Sequence, residues 1–338
     1  MRKEPISGIF VPNIAPYTKD GRLNEPELRK IVRWLINKGV TGLYPNGSMG
    51  EFIRLSFEER LRLVEIVADE ANGEVPILAG AAEANIDMVL ETCEFCAKIG
   101  CRAVSITGPY YFKVSQESIE HYFREISRQS PIDIIMYNIP AFANEISLPV
   151  IERLAMDCEN IIGTKDSSAD MSRVMHLIHD IKSKRPDFSV LIGWEEIFIP
   201  AMIMGADGGT LSTAGVIPEV FVKMWKEFSS GNIEACKQLQ FKILTLFKTM
   251  LEATNFPEGF REGYSVRGFD VGRARQPMSP NEESQMAGIR NQIACILADC
   301  GYQDAAAICQ ANKMTQSSVS GIDTEEIVRA VMAKIGKR

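Results

Sequence analysis

Eight short apolar runs alternate with amphipathic helical stretches along the first two thirds of this 338-residue chain. Several of the runs are apolar at nearly every position, which is typical of parallel strands covered on both faces. Strands that recur in this way with a helix between them predict eight βα units closing into a (β/α)8 TIM barrel. The runs are residues 8–12, 41–44, 76–80, 102–107, 132–137, 161–165, 189–193 and 208–212.

Local signals mark where the helices begin. Asn24, Asn85 and Ser115 are typical N-cap residues, and Ser56 with Glu59 has the spacing of a capping box. An open, doubly wound sheet is the alternative fold. It is less favoured because there are eight units and no G-x-G-x-x-G turn after the first strand.

We divide the chain into a catalytic barrel at residues 1–228, a helical region at 229–302 and a tail at 303–338. The tail combines a polar linker with an amphipathic helix over residues 323–335. The apolar face of a helix this short needs a surface to pack on. That surface is expected on the same subunit or a neighbour, and the alternative is a separate docking partner.

The net charge of −7 argues against nucleic acid as a partner, because a phosphate-binding surface needs a basic excess. No apolar run reaches the ~20 residues that span a bilayer, and the N-terminus lacks the apolar stretch of a secretory signal. We therefore expect a cytoplasmic protein without membrane partners. Its eight cysteines are then expected to stay reduced, so a disulfide framework is not predicted.

In a TIM barrel the active site lies where the strands end at their carboxyl side. Lys165 ends the sixth strand, where burial would lower its pKa and make the amine a nucleophile for carbonyl groups. Tyr137 ends the fifth strand and can transfer protons. The loop Gly47-Ser48-Met49-Gly50 follows the second strand and offers N–H groups to a small carboxylate.

These strand ends carry no cluster of histidines and carboxylates of the kind that binds a catalytic metal. We therefore expect neither a metal nor another cofactor, and the covalent chemistry would pass through Lys165 alone.

Four motifs at successive strand ends resemble those of the dihydrodipicolinate synthase / N-acetylneuraminate lyase family of Schiff-base (class I) aldolases. The resemblance covers roughly residues 7–300. The motifs are Gly47-Ser48-Met49-Gly50-Glu51, Pro109-Tyr110-Tyr111, Tyr137-Asn138-Ile139-Pro140 and Gly163-Thr164-Lys165-Asp166.

The resemblance implies that Lys165 forms an imine with pyruvate or another 2-oxo acid and that Tyr137 moves protons at the scissile bond. Ser48 would bind the carboxylate and link Tyr137 to Tyr111. Tyr111 would enter the site of a neighbouring subunit, which implies a homodimer or homotetramer. Met49 stands where relatives often have a second hydroxyl residue, so its contact with the carboxylate would use the backbone N–H.

The remaining candidate residues concern the aldehyde half of the substrate. Phe142 stands where the synthase branch has an arginine that grips a carboxylate, and a phenyl ring cannot do this. Glu195 and Glu196 resemble the acidic residues with which the sialic acid lyase branch binds a polyol tail. The alternative is that they favour a helix N-terminus electrostatically. The further candidates at strand ends are Ser167, Thr210 and Ser212.

The favoured function is therefore the cleavage or synthesis of a 2-keto-3-deoxy sugar acid, with pyruvate and a small aldehyde as the other partners. N-acetylneuraminate lyase is the second candidate and 4-hydroxy-tetrahydrodipicolinate (dihydrodipicolinate) synthase the third. A catalytically silent regulator that binds a 2-oxo acid is the alternative from a different class. The presence of both Lys165 and Tyr137 argues against that alternative.

Overall fold

Eight parallel strands form a barrel in the computed structural model, which describes residues 5–309. All eight predicted strands are present, several of them shortened at their amino ends. The strands are β1 (Gly8–Pro12), β2 (Gly42–Tyr44), β3 (Leu78–Gly80), β4 (Ala103–Thr107), β5 (Ile134–Asn138), β6 (Ile161–Asp166), β7 (Ser189–Ile192) and β8 (Gly208–Thr210).

The strand order shows how the barrel closes. Hydrogen-bonded neighbours run β2-β1-β8-β7-β6-β5-β4-β3, and a parallel bridge between Leu43 and Ile77 joins the two ends. The register pairs Tyr137 of β5 with Lys165 of β6. The TIM barrel predicted from the sequence is confirmed, and it brings all eight carboxyl ends to one face.

Helices follow the strands and cover the outside of the barrel. The predicted caps at Asn24, Asn85 and Ser115 and the capping box at Ser56 all form. The helices are α1 (Glu25–Asn37), α2 (Phe57–Ala71), α3 (Ile86–Lys98), α4 (Gln116–Gln129), α5 (Leu148–Asp157), α6 (Met171–His176), α7 (Phe198–Met204), α8 (Pro218–Ser229), α9 (Ile233–Leu251), α10 (Glu258–Val266) and α11 (Pro280–Asp299). A π-helical turn, Leu177–Lys182, continues α6.

The barrel has two apolar cores, one on each side of its wall. The inner core fills the barrel below the carboxyl ends of the strands and consists of Ile6, Phe10, Tyr44, Leu78, Ala103, Ile135 and Leu191. The larger outer core lies between the strands and the helices. Because the barrel is filled with side chains, reactants have access only to its upper end.

The segments after the barrel pack back onto it. Tyr302 donates a hydrogen bond to Glu219 at the start of α8 (3.1 Å). Arg54, close to the end of β2, donates to the carbonyl of Phe256 just before α10 (3.2 Å). The C-terminal helices therefore touch both the outside of the barrel and the carboxyl face. The division at residues 228 and 302 stays a prediction, and the predicted linker and tail helix beyond residue 309 lie outside the described residues.

Cys295 and Cys309 form a disulfide, so the expectation of fully reduced thiols is wrong. Residues 303–309 are helical and fold back on α11, which brings the two Cα atoms to 4.9 Å. This proximity arises from the turn between two helices, and a separation of 14 residues does not reveal it.

Within residues 5–309 no helix has the length and apolar character to cross a membrane. The same residues contain no group of three or more His, Cys, Asp and Glu side chains that could hold a metal ion. The cytoplasmic location stays a prediction.

Candidate active site

Lys165 lies inside the barrel near its upper end and is 5% exposed. Burial lowers the pKa of its amine to about 7. The neighbouring Asp166 does not neutralise it, because that carboxylate is bound by Arg173 (2.7 Å) and by the side-chain amide of Asn138 (2.9 Å). Among residues 5–309, Lys165 has no acidic partner. The amine is thus held in a form that can attack a carbonyl group near neutral pH.

Two tyrosine rings enclose the Lys165 amine. Its Nζ lies 4.0 Å from the ring centroid of Tyr137 and 4.4 Å from that of Tyr44. The two rings meet edge to face, with centroids 6.4 Å apart. Such faces stabilise a cation, so they would also stabilise a positively charged iminium formed at Nζ.

The Tyr137 hydroxyl keeps its proton at neutral pH. Burial raises the pKa of Tyr137 to about 12, and the neighbouring hydroxyls of Ser167 and Ser48 moderate this rise. Its ring faces Lys165 while Ser48 lies on the loop after β2, so Tyr137 connects the amine with that loop. Tyr137 is therefore placed to donate a proton next to Lys165.

The loop after β2 leaves two backbone donors without an acceptor in the described residues. Residues Ser48–Gly50 form one 3₁₀ turn, in which Gly50 donates to the carbonyl of Gly47 and Glu51 to that of Ser48 (both 3.0 Å). In the described part of the chain, the N–H groups of Ser48 and Met49 donate to no other residue. Unpaired N–H groups on a turn are suited to an anion such as a carboxylate.

Glycines let the site residues approach one another. A Cβ on Gly193, after β7, would overlap Ser167 Oγ and lie 2.9 Å from Lys165 Cε. A Cβ on Gly47 would overlap the ring of Tyr44. The space around Lys165 is therefore closed on these two sides by backbone alone.

A second set of polar groups lies where β7 and β8 end. Glu195 is buried, and one carboxyl oxygen accepts a hydrogen bond from the Thr213 N–H (2.7 Å). Burial raises the pKa of Glu195 to about 7, and the backbone at Thr213 and Ser212 moderates the rise. Glu195 Oε2 and Thr210 Oγ1 are buried without a hydrogen-bond partner in the described residues, and the buried hydroxyl of Ser167 lies next to Tyr137. These groups offer hydrogen bonds to hydroxyl groups of a ligand.

Glu196 and Phe142 lie further out. Glu196 accepts a hydrogen bond from the indole N–H of Trp194 (2.8 Å), so its carboxylate is partly engaged. Phe142 is 60% exposed, and its ring centroid lies 6.2 Å from that of Phe256, two residues before α10. The position that would bind a second carboxylate is thus lined by aromatic rings.

Tyr111 does not reach Lys165 within the chain. It is 90% exposed, has a left-handed backbone (φ 75°), and stacks edge to face on the exposed ring of Phe112. The link from Ser48 to Tyr111 is therefore not formed within one chain, and a role for Tyr111 in a neighbouring subunit stays a prediction.

Two residues of the site carried no separate signal in the sequence. Tyr44 is the last residue of β2, and its place inside the barrel follows from strand alternation once the fold is known. Arg261 of α10 contacts Glu51, the last residue of the first motif, across 210 positions of sequence. A single arginine in a helix gives no indication of such a contact.

An amine of lowered pKa inside a (β/α)8 barrel is a nucleophile for carbonyl groups, which it attacks to form an imine. The protein is an enzyme, a lyase of the class I aldolase type. Residues 5–295 match the dihydrodipicolinate synthetase family, and the chain belongs to that family.

Several relatives have a named activity. A probable 2-dehydro-3-deoxy-D-pentonate aldolase of Escherichia coli is 31% identical over 242 residues, which are 71% of this chain and 80% of that protein. The 4-hydroxy-tetrahydrodipicolinate synthase of Methanopyrus kandleri is 31% identical over 290 residues, 85% of this chain and 95% of the relative.

A solved structure with the same fold is that of YagE, a prophage protein of the dihydrodipicolinic acid synthase family from Escherichia coli, in complex with pyruvate. It is 27% identical, covers 86% of this chain and 98% of its own, and superposes with a TM-score of 0.82.

Proposed function

We propose that Lys165 forms an imine with a 2-oxo acid and that the enzyme cleaves a 2-keto-3-deoxy sugar acid to pyruvate and an aldehyde. The observation that carries this proposal is the buried Lys165 amine, which has a pKa of about 7 and no acidic partner in the described chain. The N–H groups of Ser48 and Met49, which have no acceptor in the described residues, would bind the carboxylate. The pyruvate complex of YagE supports the choice of 2-oxo acid.

In the first step the uncharged Lys165 amine attacks C2 of the 2-oxo acid and forms a carbinolamine. The carbinolamine oxygen leaves as water, taking the phenolic proton of Tyr137. The products are an iminium at Lys165 and a phenolate at Tyr137, and the short distance between the two stabilises both charges.

In the second step the Tyr137 phenolate accepts the proton of the C4 hydroxyl. The C3–C4 bond breaks, its electron pair moves toward the iminium nitrogen, and an aldehyde leaves. The remaining enamine takes the proton of the Tyr137 hydroxyl at C3, which restores the iminium and the phenolate. Water then adds to the iminium and gives its proton to the phenolate, and the carbinolamine breaks down to pyruvate and free Lys165. Tyr137 thus donates a proton in one step and accepts one in the next.

The proposed substrate class rests on the polar groups beside β7 and β8. Glu195 and Thr210 each hold a buried polar atom that lacks a partner in the described residues, and Ser212 lies beside Glu195. The hydroxyl of Ser167 is buried next to Gly193, at the end of β7. Hydroxyl groups of a sugar acid would satisfy these atoms. The resemblance to a probable pentonate aldolase supports the same class.

N-acetylneuraminate lyase remains the second candidate, because Glu195 with Glu196 would also suit a longer polyol. The synthase activity of the Methanopyrus relative is less favoured here, since Phe142 and Phe256 offer no cation to a second carboxylate.

We further propose that two copies of the chain associate through the exposed Tyr111 and Phe112. The two residues are 90% and 73% exposed, and burial of such an aromatic pair would favour a homodimer or a larger homo-oligomer.

Reductive trapping tests the mechanism. The enzyme is treated with pyruvate and borohydride, and the added mass is mapped by peptide mass spectrometry; we expect it on Lys165 alone. Pyruvate release is then measured from five- and six-carbon 2-keto-3-deoxy sugar acids and from N-acetylneuraminate. A modification at another lysine, or none, would overturn the mechanism, and release from N-acetylneuraminate alone would overturn the substrate class.

A further inference from the structure

Arg261 of α10 is a buried cation that is separate from Lys165 and Tyr137, the residues proposed to react with the carbonyl group. It is 1% exposed, and its guanidinium binds Glu51 through Nε (3.1 Å) and Nη2. Its other donors reach two backbone carbonyls, those of Ala15 (2.7 Å) and Val271 (2.6 Å). Arginine is seldom fully buried unless every donor has a partner, and here the partners come from three separate segments.

Glu51 has an unusual conformation at the end of the carboxylate-binding loop. Its backbone is left-handed (φ 54°, ψ 38°), a region that residues other than glycine adopt infrequently. Its second carboxyl oxygen accepts a hydrogen bond from Arg54 (2.8 Å). A left-handed glutamate persists only where its surroundings fix it, and the two arginines provide that constraint.

Glu51 in turn fixes the direction of the loop donors. Its N–H closes the 3₁₀ turn on Ser48, and the unpaired N–H groups belong to Ser48 and Met49 of that same turn. A change in the backbone of Glu51 would therefore rotate the groups proposed to hold the carboxylate. Tyr137 and Lys165 lie on β5 and β6, and in the described residues neither forms a hydrogen bond or ion pair with Arg261.

We infer that Arg261 is a positioning residue for carboxylate recognition: through Glu51 it holds the Ser48 and Met49 N–H groups in the orientation that selects a 2-oxo acid over an uncharged ketone. This inference rests on the proposed function. It also gives the C-terminal helical region a role in substrate selection. If that region only packed on the barrel, it would have no such role.

The test compares two carbonyl compounds that differ in charge. Pyruvate and methyl pyruvate are trapped on the enzyme with borohydride over a range of concentrations, and the half-saturating concentration of each is measured. The variants are Arg261→Met, Arg261→Lys and the double variant Arg261→Met/Glu51→Gln. Arg290→Met is the matched control, because Arg290 pairs with Glu262 between α11 and α10 (3.0 Å) away from the loop.

For Arg261→Met we expect the half-saturating concentration of pyruvate to rise about tenfold to a hundredfold, since loss of a fixed pair of charge-assisted donors has effects of this size. That of methyl pyruvate should change less than about threefold. Arg261→Lys keeps the charge but loses the planar fork, so its effect on pyruvate should be intermediate.

The double variant separates positioning from stability. In Arg261→Met one oxygen of the buried Glu51 carboxylate loses its partner, while Arg54 still binds the other. Removing Glu51's charge relieves this cost, so the melting temperature should recover while pyruvate binding stays weak. It also provides a folded protein if Arg261→Met does not fold. Equal changes for both compounds, no change for either, or recovery of pyruvate binding in the double variant would each overturn the inference. Failure of the unmodified enzyme to trap pyruvate would instead refute the proposed function.

Discussion

Lys165 and Tyr137 are register partners on neighbouring strands, and the Lys165 amine lies 4.0 Å from the centre of the Tyr137 ring. The pairing follows from the barrel, because side chains of adjacent parallel strands at equal height point to the same side. Proton donor and nucleophile are thus held by backbone hydrogen bonds and not by a flexible loop, which reduces the reorganisation needed to form the imine.

The lowered pKa of Lys165 predicts a pH dependence of imine formation. The attacking species is the uncharged amine, so the rate of borohydride trapping with pyruvate should rise as the pH increases through about 7 and then level off. A stopped assay from pH 5.5 to 9 measures this profile. A rate that continues to rise beyond pH 9 would show that the amine has its ordinary pKa.

The lowered pKa of Lys165 also predicts a difference in stability between the wild-type protein and a Lys165→Met variant. The pKa of Lys165 is about 7 in the folded chain, against its ordinary value of 10.5 in the unfolded chain. The unfolded chain therefore binds more protons between these pH values, and wild-type stability rises with pH there. Lys165→Met should therefore be more stable than wild type at pH 7 by an amount of order a few kcal/mol. Urea denaturation at pH 7 and pH 9.5 measures the difference in free energy of unfolding between Lys165→Met and wild type. This difference should be smaller at pH 9.5, and an equal difference at both pH values would contradict the prediction.

Tyr137→Phe separates imine formation from bond cleavage. The ring that encloses Lys165 is kept and only the hydroxyl is lost, so borohydride should still trap pyruvate, more slowly. Aldehyde release should fall by about 10²- to 10⁴-fold, the usual contribution of a general acid–base group. Tyr264→Phe is the control: this tyrosine of α10 is also buried, and its hydroxyl has no partner in the described residues. Cleavage at an unchanged rate in Tyr137→Phe would assign the proton transfer to another group.

Gly193→Ala tests how closely the site is packed. The new Cβ would overlap Ser167 Oγ and press on Lys165 Cε, so Lys165 would have to move. We expect loss of trapping by at least about tenfold, because small displacements at a reacting centre cost large factors in rate. Gly288→Ala is the matched control, since a Cβ at that position of α11 meets nothing within 4 Å. Equal activity of the two variants would show that the site tolerates the displacement.

The features that could be predicted from the sequence are those that depend on residues close together in the chain. Residues a few positions apart determine the strands and the helix caps, so these elements could be predicted from the sequence. The ends of the predicted strands then place Lys165 and Tyr137 on one face of the barrel, and no tertiary contact has to be known for this step. The position of Tyr44 inside the barrel follows from the fold together with the alternation of side chains along a strand. These parts of the site follow from the fold class alone.

What the sequence did not predict depends on long-range packing. The contact of Arg261 with Glu51 spans 210 positions, and the disulfide of Cys295 with Cys309 depends on how a helix folds back on α11. The aromatic contact of Phe142 with Phe256 likewise joins the barrel to the segment before α10. Neither hydrophobic periodicity nor helix caps can predict such contacts, because the contacts depend on how the C-terminal segments pack.

Phe142→Arg tests the argument that this position decides between carboxylate and hydroxyl substrates. An arginine there can bind a carboxylate through two parallel hydrogen bonds, which a phenyl ring cannot. Phe142 is 60% exposed, so the larger polar side chain should not disturb the core. We expect condensation of pyruvate with aspartate semialdehyde to increase by about tenfold or more, while the trapping of pyruvate by Lys165 stays the same.

The control for this change is Phe142→Leu, which removes the aromatic contact with Phe256 without adding a charge. It should leave aspartate semialdehyde a poor substrate. If the unmodified enzyme already condenses aspartate semialdehyde efficiently, another cation near the barrel mouth must bind that carboxylate, and Phe142 would not be the residue that excludes it. If only the arginine variant gains the activity, the missing cation at position 142, and not the aromatic contact with Phe256, accounts for the poor turnover of aspartate semialdehyde.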